Sequence, residues 1–329
     1  MSEEAVPLPV EGELASFKGA TSWLNSTPLT VEELRGKVVA VDFCTYTCIN
    51  WLRTLPYVRA WSEKYRDAGL VTIGVHTPEF SFEKNLDNIT RALEDMNVRY
   101  PIAVDSDFGV WDAFDNHYWP ALYLADADGR IRSHQFGEGE YDRSERAIQQ
   151  LLSEAGVEGF DRSLVQIEGE GPEAPGDWTN LQSPETYLGY GRGSNSAGAE
   201  SLTADAPSRY TIQEPLWLNS WGLSGNWTVG TEAAVVNDAG GRIAFRFHAR
   251  DLHLVMGPVS LDNPVRFRVM LDGDAPGDAA GGDVEADGSG RAVEQRMYQL
   301  IRQRGPISDR TFEIEFLEPG AEACVFTFG

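Results

Sequence analysis

VVAVDFCTYTCINWLRTLP, residues 38–56, is the stretch that decides the fold of this chain. Its first part, Val38–Phe43, is apolar and β-branched apart from one acid, which predicts a strand buried on both faces. From Ile49 to Tyr65 the apolar residues recur at a helical period, which predicts a helix. Cys48 lies where the strand gives way to the helix N-terminus, where free N–H groups and the helix dipole stabilise a thiolate by ~0.3–1 kcal/mol. The stretch therefore predicts a strand, a primed cysteine and a helix in that order.

The same residues resemble the active-site segment of thioredoxins, and more narrowly that of the TlpA/DipZ-like redoxins of AhpC/TSA type. The resemblance rests on Val41-Asp42-Phe43, on Cys48 and on Pro56, eight residues after that cysteine. It implies a thioredoxin fold in which Cys48 is the attacking cysteine and Asp42 is a buried acid that passes protons to and from the thiols. It also implies that Pro56 kinks the first active-site helix, as a proline inside a helix does.

Two positions depart from the family pattern. Trp51 stands where the family has the second cysteine, so dithiol chemistry by the usual Cys-x-x-Cys pair is excluded. Cys44 stands where the family has a tryptophan. Cys44 either resolves Cys48 in a Cys-x-x-x-Cys disulfide or fills part of the missing tryptophan's space. Bridging needs Cα atoms within about 7 Å, so the loop between an extended strand end and Cys48 would have to fold back.

Two further residues in the segment bear on catalysis. Asp42 is a single acid in an apolar strand, so we expect burial to raise its pKa and to let it exchange protons with the thiol. Thr45 precedes Cys48 by three positions, as the hydroxyl residue of peroxiredoxins precedes their peroxidatic cysteine. The upstream proline of those enzymes is absent, since position 41 is Val.

The rest of the candidate site lies further along the chain. His76 and Glu79 follow the predicted strand Leu70–His76, at the sheet edge where α/β proteins place their ligands. The resemblance implies that Pro120 is cis and lies beside the nucleophile. We expect these side chains to line the thiol pocket, under an aromatic rim of Tyr46, Trp51 and Trp119.

The order of predicted elements matches an α/β thioredoxin fold with the redoxin insertion, over about residues 12–156. It includes one amphipathic helix over Ser81–Asn97. The domains we expect are a redoxin domain with its N-terminal extension (1–156), a Pro/Gly-rich linker (157–183) and a β domain (184–329). The β domain shows period-two alternation between Gly, Asp and Pro turns, which predicts an antiparallel, jelly-roll-like β-sandwich.

The β domain resembles the C-terminal domain of DipZ-like redoxins, which is similar to a carbohydrate-binding module. Sugar stacking would use tryptophan faces, and we expect at least half of the following to be core residues instead: Trp178, Trp217, Trp221 and Trp227. A Ca²⁺-loop-like pattern begins at Asp283, but a Gly/Asp-rich hairpin explains it better. With no zinc-type Cys/His spacing and no Gly-rich phosphate loop, we expect no metal and no cofactor.

Composition limits the partners. The chain has 329 residues and a net charge of −24, which argues against nucleic acid. No apolar stretch approaches 18 residues, so we expect no membrane insertion. The N-terminus lacks the order of a secretory signal. We therefore expect a cytoplasmic protein or, since DipZ-group proteins carry such domains behind a transmembrane domain, the extracytoplasmic soluble part of a longer membrane protein.

The residues leave two functions open. The first is a thiol oxidoreductase that uses Cys48 on a protein or small-molecule disulfide or a peroxide, recycled by an external thiol or a thioredoxin-type reductant. Cys44 is its candidate resolving thiol. The second is a redox-inactive thioredoxin fold that serves as a scaffold joined to a ligand-binding sandwich.

Overall fold

The computed structural model describes residues 8–193 and 202–329, which fall into two units divided between Glu173 and Ala174. Residues 1–7, the acidic N-terminus that bears on the expected localisation, lie outside the described residues. Among those described, no helix has both the length and the apolar character that crossing a membrane requires.

The first unit alternates strands and helices. Its elements are β1 (Gly12–Glu13), β2 (Ser22–Leu24), β3 (Val38–Cys44), α1 (Ile49–Lys64), β4 (Leu70–His76), a 3₁₀ turn (Ser81–Lys84), α2 (Leu86–Asp95), β5 (Ile102–Val104), α3 (Gly109–Ala113), β6 (Ala121–Ala125), β7 (Arg130–Phe136), α4 (Tyr141–Glu154) and a second 3₁₀ turn (Gly171–Glu173).

These strands form one mixed sheet in the order β1-β7-β6-β3-β4-β5-β2. The strands β3, β4 and β5 are parallel, and β6 runs antiparallel to β3. Every residue of β3 is buried, which confirms the prediction of a strand covered on both faces. This is the thioredoxin fold, and it places the carboxyl end of β3 and the start of α1 at one edge of the central sheet.

The prediction of one helix over Ser81–Asn97 is wrong. The chain forms the 3₁₀ turn Ser81–Lys84 and then a separate helix, α2. The Asn85 side chain divides them, because its oxygen accepts hydrogen bonds from the N–H groups of Asp87 and Asn88 and so begins a new helix.

The second unit is built from antiparallel strands. They are β8 (Thr186–Tyr187), β9 (Ser208–Tyr210), β10 (Trp221–Val229), β11 (Ala234–Val236), β12 (Gly241–Phe247), β13 (Asp251–Pro258), β14 (Val265–Leu271), β15 (Ser289–Ala292), β16 (Arg296–Arg302), β17 (Arg310–Phe316) and β18 (Ala321–Phe328), with a 3₁₀ turn at Gly277–Ala279.

The sheet curls into a sandwich because β10 belongs to both layers. Residues 221–224 pair with β12, and residues 225–229 pair with β9 and β11. Gly225 stands at the change of layer with φ +101°, a conformation that favours glycine. Between the layers, the Phe245 ring of β12 packs 5.1 Å from the Phe326 ring of β18. The all-β sandwich predicted for this part of the chain is confirmed.

Candidate active site at the start of helix α1

Cys48 is the N-cap of α1. Its backbone is extended (φ −76°, ψ 115°), its N–H donates to the Thr45 carbonyl at 3.2 Å, and its carbonyl accepts from the N–H of Leu52 at 2.9 Å. The side chain is half-buried, and its thiol donates to the Trp119 carbonyl at 3.8 Å. The Trp119–Pro120 peptide bond is cis. The fold thus brings a helix-terminal sulfur to a loop 71 residues further along the chain.

Trp119 is held in place beside Cys48. Its indole N–H donates to the Thr77 carbonyl at 3.1 Å, and its half-buried ring packs 4.3 Å from the ring of Trp111. Thr77 in turn donates its backbone N–H to the Cys44 carbonyl at 3.0 Å. The neighbouring Pro120 is buried. The carbonyl that contacts the Cys48 sulfur is therefore tied back to the end of β3.

Asp42 is fully buried and contacts Trp51. The indole N–H of Trp51 donates to Asp42 Oδ2 at 2.9 Å, whereas Asp42 Oδ1 has no hydrogen-bond partner among the described residues. Burial raises the pKa of Asp42 to about 7, against the opposing effect of the Trp51 hydrogen bond. At neutral pH the carboxyl is therefore present in both its protonated and its ionised form. Trp51, which replaces the second cysteine, bonds to one of the two oxygens of this carboxyl.

Cys44 is enclosed within the first unit. It is fully buried, and its thiol donates to the Val75 carbonyl at 3.4 Å. Burial raises the pKa of the Cys44 thiol well above its usual value, and the nearby charges of Asp42, Glu83 and Cys48 add to the effect. Both Cys44 and Cys48 are free thiols. Cys44 is therefore a protonated, shielded thiol in this conformation.

The expected aromatic rim and polar pocket do not form as predicted. Tyr46 and Trp51 are buried, so Trp119 is the half-exposed member of that trio. Thr45 and His76 are buried as well. The His76 side chain packs inside at the end of β4, where its ring stacks on the Tyr46 ring with 5.6 Å between the centroids. Burial lowers the pKa of His76 to about 4, so its ring is neutral at pH 7. Glu79 is half-buried near the same loop.

Glu83 is a residue that the sequence reading missed. Its buried carboxylate accepts hydrogen bonds from the hydroxyls of Thr45 (2.5 Å) and Thr47 (2.7 Å). It also accepts from the backbone N–H groups of Glu79 (2.6 Å) and Phe80 (2.9 Å). The available signal was a glutamate at the third position of a helical turn, where it caps the backbone. The apolar spacing of residues 81–97 by itself does not reveal this capping role.

The candidate stacking residues of the sandwich divide into two pairs. Trp221 and Trp227 are fully buried core residues, whereas Trp178 and Trp217 are 58% and 76% exposed. The Asp283 carboxylate of the Ca²⁺-loop-like stretch accepts from the Arg296 guanidinium at 2.6 Å and from the Gln299 N–H at 2.8 Å. Within the described ranges, no three His, Cys, Asp or Glu side chains are grouped as a metal ion would need.

Comparison with known proteins gives matches for both units. A family model described as a thioredoxin-like C-terminal domain matches residues 183–329. Protein DipZ of Mycobacterium bovis is 36% identical over 261 residues, which cover 78% of this chain and 36% of DipZ. The chain therefore spans little more than a third of that relative's length.

Two further relatives match shorter stretches of this chain. NHL repeat-containing protein 2 of Homo sapiens is 38% identical over 130 residues, which cover 39% of this chain and 18% of that protein. Thiol-disulfide oxidoreductase YkuV of Bacillus subtilis is 31% identical over 142 residues, which cover 43% of this chain and 95% of YkuV. With the strand order above and a match to YkuV over nearly its whole length, the chain belongs to the thioredoxin-like thiol–disulfide oxidoreductase family and is a DipZ-like redoxin.

Proposed function

We propose that this chain is a thiol oxidoreductase whose nucleophile is Cys48, working as a monothiol. The observation that carries the proposal is the position of the Cys48 sulfur, half-buried at the N-terminus of α1 and in contact with the Trp119 carbonyl before Pro120. A helix N-terminus favours the thiolate, which is the form that attacks disulfides and peroxides.

The proposed first step is thiol–disulfide exchange. The Cys48 thiolate attacks one sulfur of a substrate disulfide, forms a mixed disulfide and releases the other sulfur as a thiolate, which takes up a proton. With a peroxide, the thiolate attacks one oxygen, the O–O bond breaks, and the departing oxygen takes up a proton from solvent, so that the products are a Cys48 sulfenic acid and an alcohol or water. Trp51 has no sulfur, so position 51 supplies no resolving thiol.

The second step needs another thiol, and we propose an external thiol or a thioredoxin-type reductant. In the mixed disulfide it attacks the substrate sulfur, forms a disulfide with that sulfur and releases Cys48 as a thiolate. From the sulfenic acid, a first thiol attacks the Cys48 sulfur and displaces water to form a mixed disulfide, and a second thiol attacks the outer sulfur of that disulfide and releases the Cys48 thiolate. Cys44 is the internal alternative, because it lies at the end of the preceding strand and Asp42 is close enough to affect its pKa. It would have to leave its buried position to react.

Turnover of a disulfide or peroxide substrate by single-cysteine variants tests the proposal. Cys48→Ser should abolish turnover, whereas Cys324→Ser, which changes a buried cysteine of the sandwich, should retain it. Full activity of Cys48→Ser would overturn the proposal. Cys44→Ala addresses the second step: a slower cycle, together with a Cys44–Cys48 disulfide in non-reducing peptide mass spectrometry, supports the internal alternative.

A second candidate function is a scaffold without redox activity. The Trp51–Asp42 hydrogen bond favours it, because the acid is bonded to an indole where the family places a thiol. In that case Cys48 would alkylate no faster than an unperturbed thiol and would form no mixed disulfide. Any sugar ligand of the sandwich would then have to use exposed tryptophans such as Trp178 and Trp217.

A further inference from the structure

The loop between Cys44 and Cys48 is held by the side chain of Glu83, which lies outside that loop in the sequence. Both hydroxyl residues in this loop, Thr45 and Thr47, are buried and donate to the same oxygen, Glu83 Oε1. The other oxygen, Oε2, accepts the N–H groups of Glu79 and Phe80 at the turn after β4. Four donors therefore converge on one carboxylate that lies more than 30 residues away in sequence from either threonine.

These bonds decide where Cys48 can lie. Thr47 immediately precedes Cys48, and the Thr45 carbonyl accepts the Cys48 N–H at 3.2 Å. Fixing both threonines therefore fixes the turn that brings Cys48 to the first free N–H groups of α1. The turn after β4 is fixed in the same way. Glu83 joins the two loops that end the neighbouring parallel strands β3 and β4.

We propose that Glu83 is a positioning residue for the nucleophile: its carboxylate holds the Thr45–Thr47 loop so that the Cys48 sulfur stays at the N-terminus of α1. This inference rests on the proposed role of Cys48. Glu83 does not touch the substrate and transfers no proton in this scheme. It acts through the two threonines.

The arrangement allows position and charge to be separated. A glutamine at position 83 can accept the two backbone N–H groups with its carbonyl oxygen. It can donate its amide hydrogens to the threonine hydroxyls, which act as donors or acceptors. An alanine can do neither. Glu83→Gln and Glu83→Ala remove the same charge, so a difference between them reports positioning alone.

The test is the pH dependence of Cys48 alkylation by iodoacetamide in the full chain, followed by tandem mass spectrometry of the peptide that holds Cys44 and Cys48. We expect the alkylation midpoint in Glu83→Ala to lie about half a pH unit above that in Glu83→Gln, the shift that losing a helix N-terminus would cause. Coincident midpoints for the two folded variants would overturn the proposal.

A second pair keeps the test decisive if Glu83→Ala does not fold. The double variant Thr45→Val, Thr47→Val removes both hydroxyl donors, and Thr45→Ser, Thr47→Ser keeps them. We expect the valine pair to raise the midpoint and the serine pair to match the wild type, and equal midpoints for the two pairs would again overturn the proposal.

A buried carboxyl elsewhere in the unit serves as the control. Glu145 accepts the Tyr65 hydroxyl at 2.6 Å and the Val165 N–H at 2.9 Å, and Glu145→Gln should leave the Cys48 midpoint unchanged. Alkylation of Cys48 needs no turnover, so the alkylation test of Glu83 and the activity assay of Cys48→Ser can contradict their proposals independently of each other. An active Cys48→Ser protein would end the proposed function without changing the outcome for Glu83.

Discussion

At the scale of single residues, the exchange of cysteine and tryptophan in the active-site segment has a structural consequence. Trp51 fills the position after the helix start and donates to the buried Asp42. Cys44, whose side chain is smaller than the tryptophan of the family, is the last residue of β3 and is buried there. Asp42 therefore bonds to an indole, and position 51 places no second thiol on the helix that begins after Cys48.

The Trp51–Asp42 hydrogen bond should contribute measurably to stability. Trp51→Phe leaves a buried carboxyl oxygen without its donor, so we expect it to lower the free energy of unfolding by about 1–3 kcal/mol beyond the loss of ring contacts. Trp61→Phe is the matched control, since the buried Trp61 indole N–H has no partner among the described residues. Equal losses in urea unfolding would contradict this prediction.

The pH dependence of stability should reflect Asp42 and Glu83 together. Burial raises the pKa of each to about 7, above the values near 4 expected when unfolded. The folded state then binds more protons than the unfolded state between about pH 4 and 7. Each carboxyl's contribution is therefore complete below pH 4 and lost as the pH rises through 7.

We expect Asp42→Asn to flatten this fall in the free energy of unfolding, by about 1.4 kcal/mol for each unit of pKa shift removed. Glu33→Gln, a change at an exposed carboxyl, should not flatten it. Unfolding curves at several pH values measure both. A wild-type slope retained in Asp42→Asn would show that the carboxyl is not held in its protonated form.

At the scale of elements, each unit depends on a backbone feature at a junction. In the first unit it is the turn from β3 into α1, where an extended Cys48 begins the helix. In the second it is the point at which β10 changes layer. Gly225 has φ +101° there, and a Cβ at this position would lie 3.1 Å from the Cα of Gly241.

Gly225→Ala should therefore lower the thermal stability of the sandwich, because it combines an unfavourable φ with a close backbone contact. Gly273→Ala is the control, since Gly273 also has a positive φ (+88°) but open space around its Cβ position. We expect the loss at Gly225 to exceed that at Gly273 by about 1 kcal/mol or more in calorimetry. A smaller loss of stability at Gly225 would mean that the close contact with Gly241 does not destabilise the alanine variant.

At the scale of the whole molecule, the three cysteines differ in their access to solvent. Cys48 is half-buried, whereas Cys44 in the first unit and Cys324 in the second are buried. Each unit has its own apolar core, and each unit holds one of the two buried thiols. Native folding should therefore leave one reactive thiol in the chain.

A thiol count checks this directly. In native buffer a disulfide reagent should react rapidly with one thiol per chain, identified as Cys48 by peptide mapping, and in denaturant with three. The Cys48→Ser variant is the control and should show no rapid phase. Two rapid thiols in the native wild type would mean that a buried cysteine opens to solvent without substrate, and peptide mapping would show whether it is Cys44 or Cys324.

Much of the fold could be predicted because local pattern determines it. The apolar run of β3 and the helical period of α1 appear in the sequence, and the predicted strand Leu70–His76 has the same bounds in the structure. The family resemblance and both fold classes are confirmed. The prediction of one helix over residues 81–97 is wrong because the Asn85 side chain caps a new helix within that range. Hydrophobic spacing alone does not reveal such a cap.

The sequence by itself determined the two folds, the family and the loss of the paired cysteine, because each depends on which residues stand near one another along the chain. Only the tertiary structure decided which groups meet: Trp51 with Asp42, Glu83 with the threonines around Cys48, and His76 with the interior and not the pocket. The physical reason is that burial and hydrogen-bond partners depend on distances in space. Glu83 and Thr45 are 38 positions apart in sequence, yet their side-chain oxygens lie 2.5 Å apart.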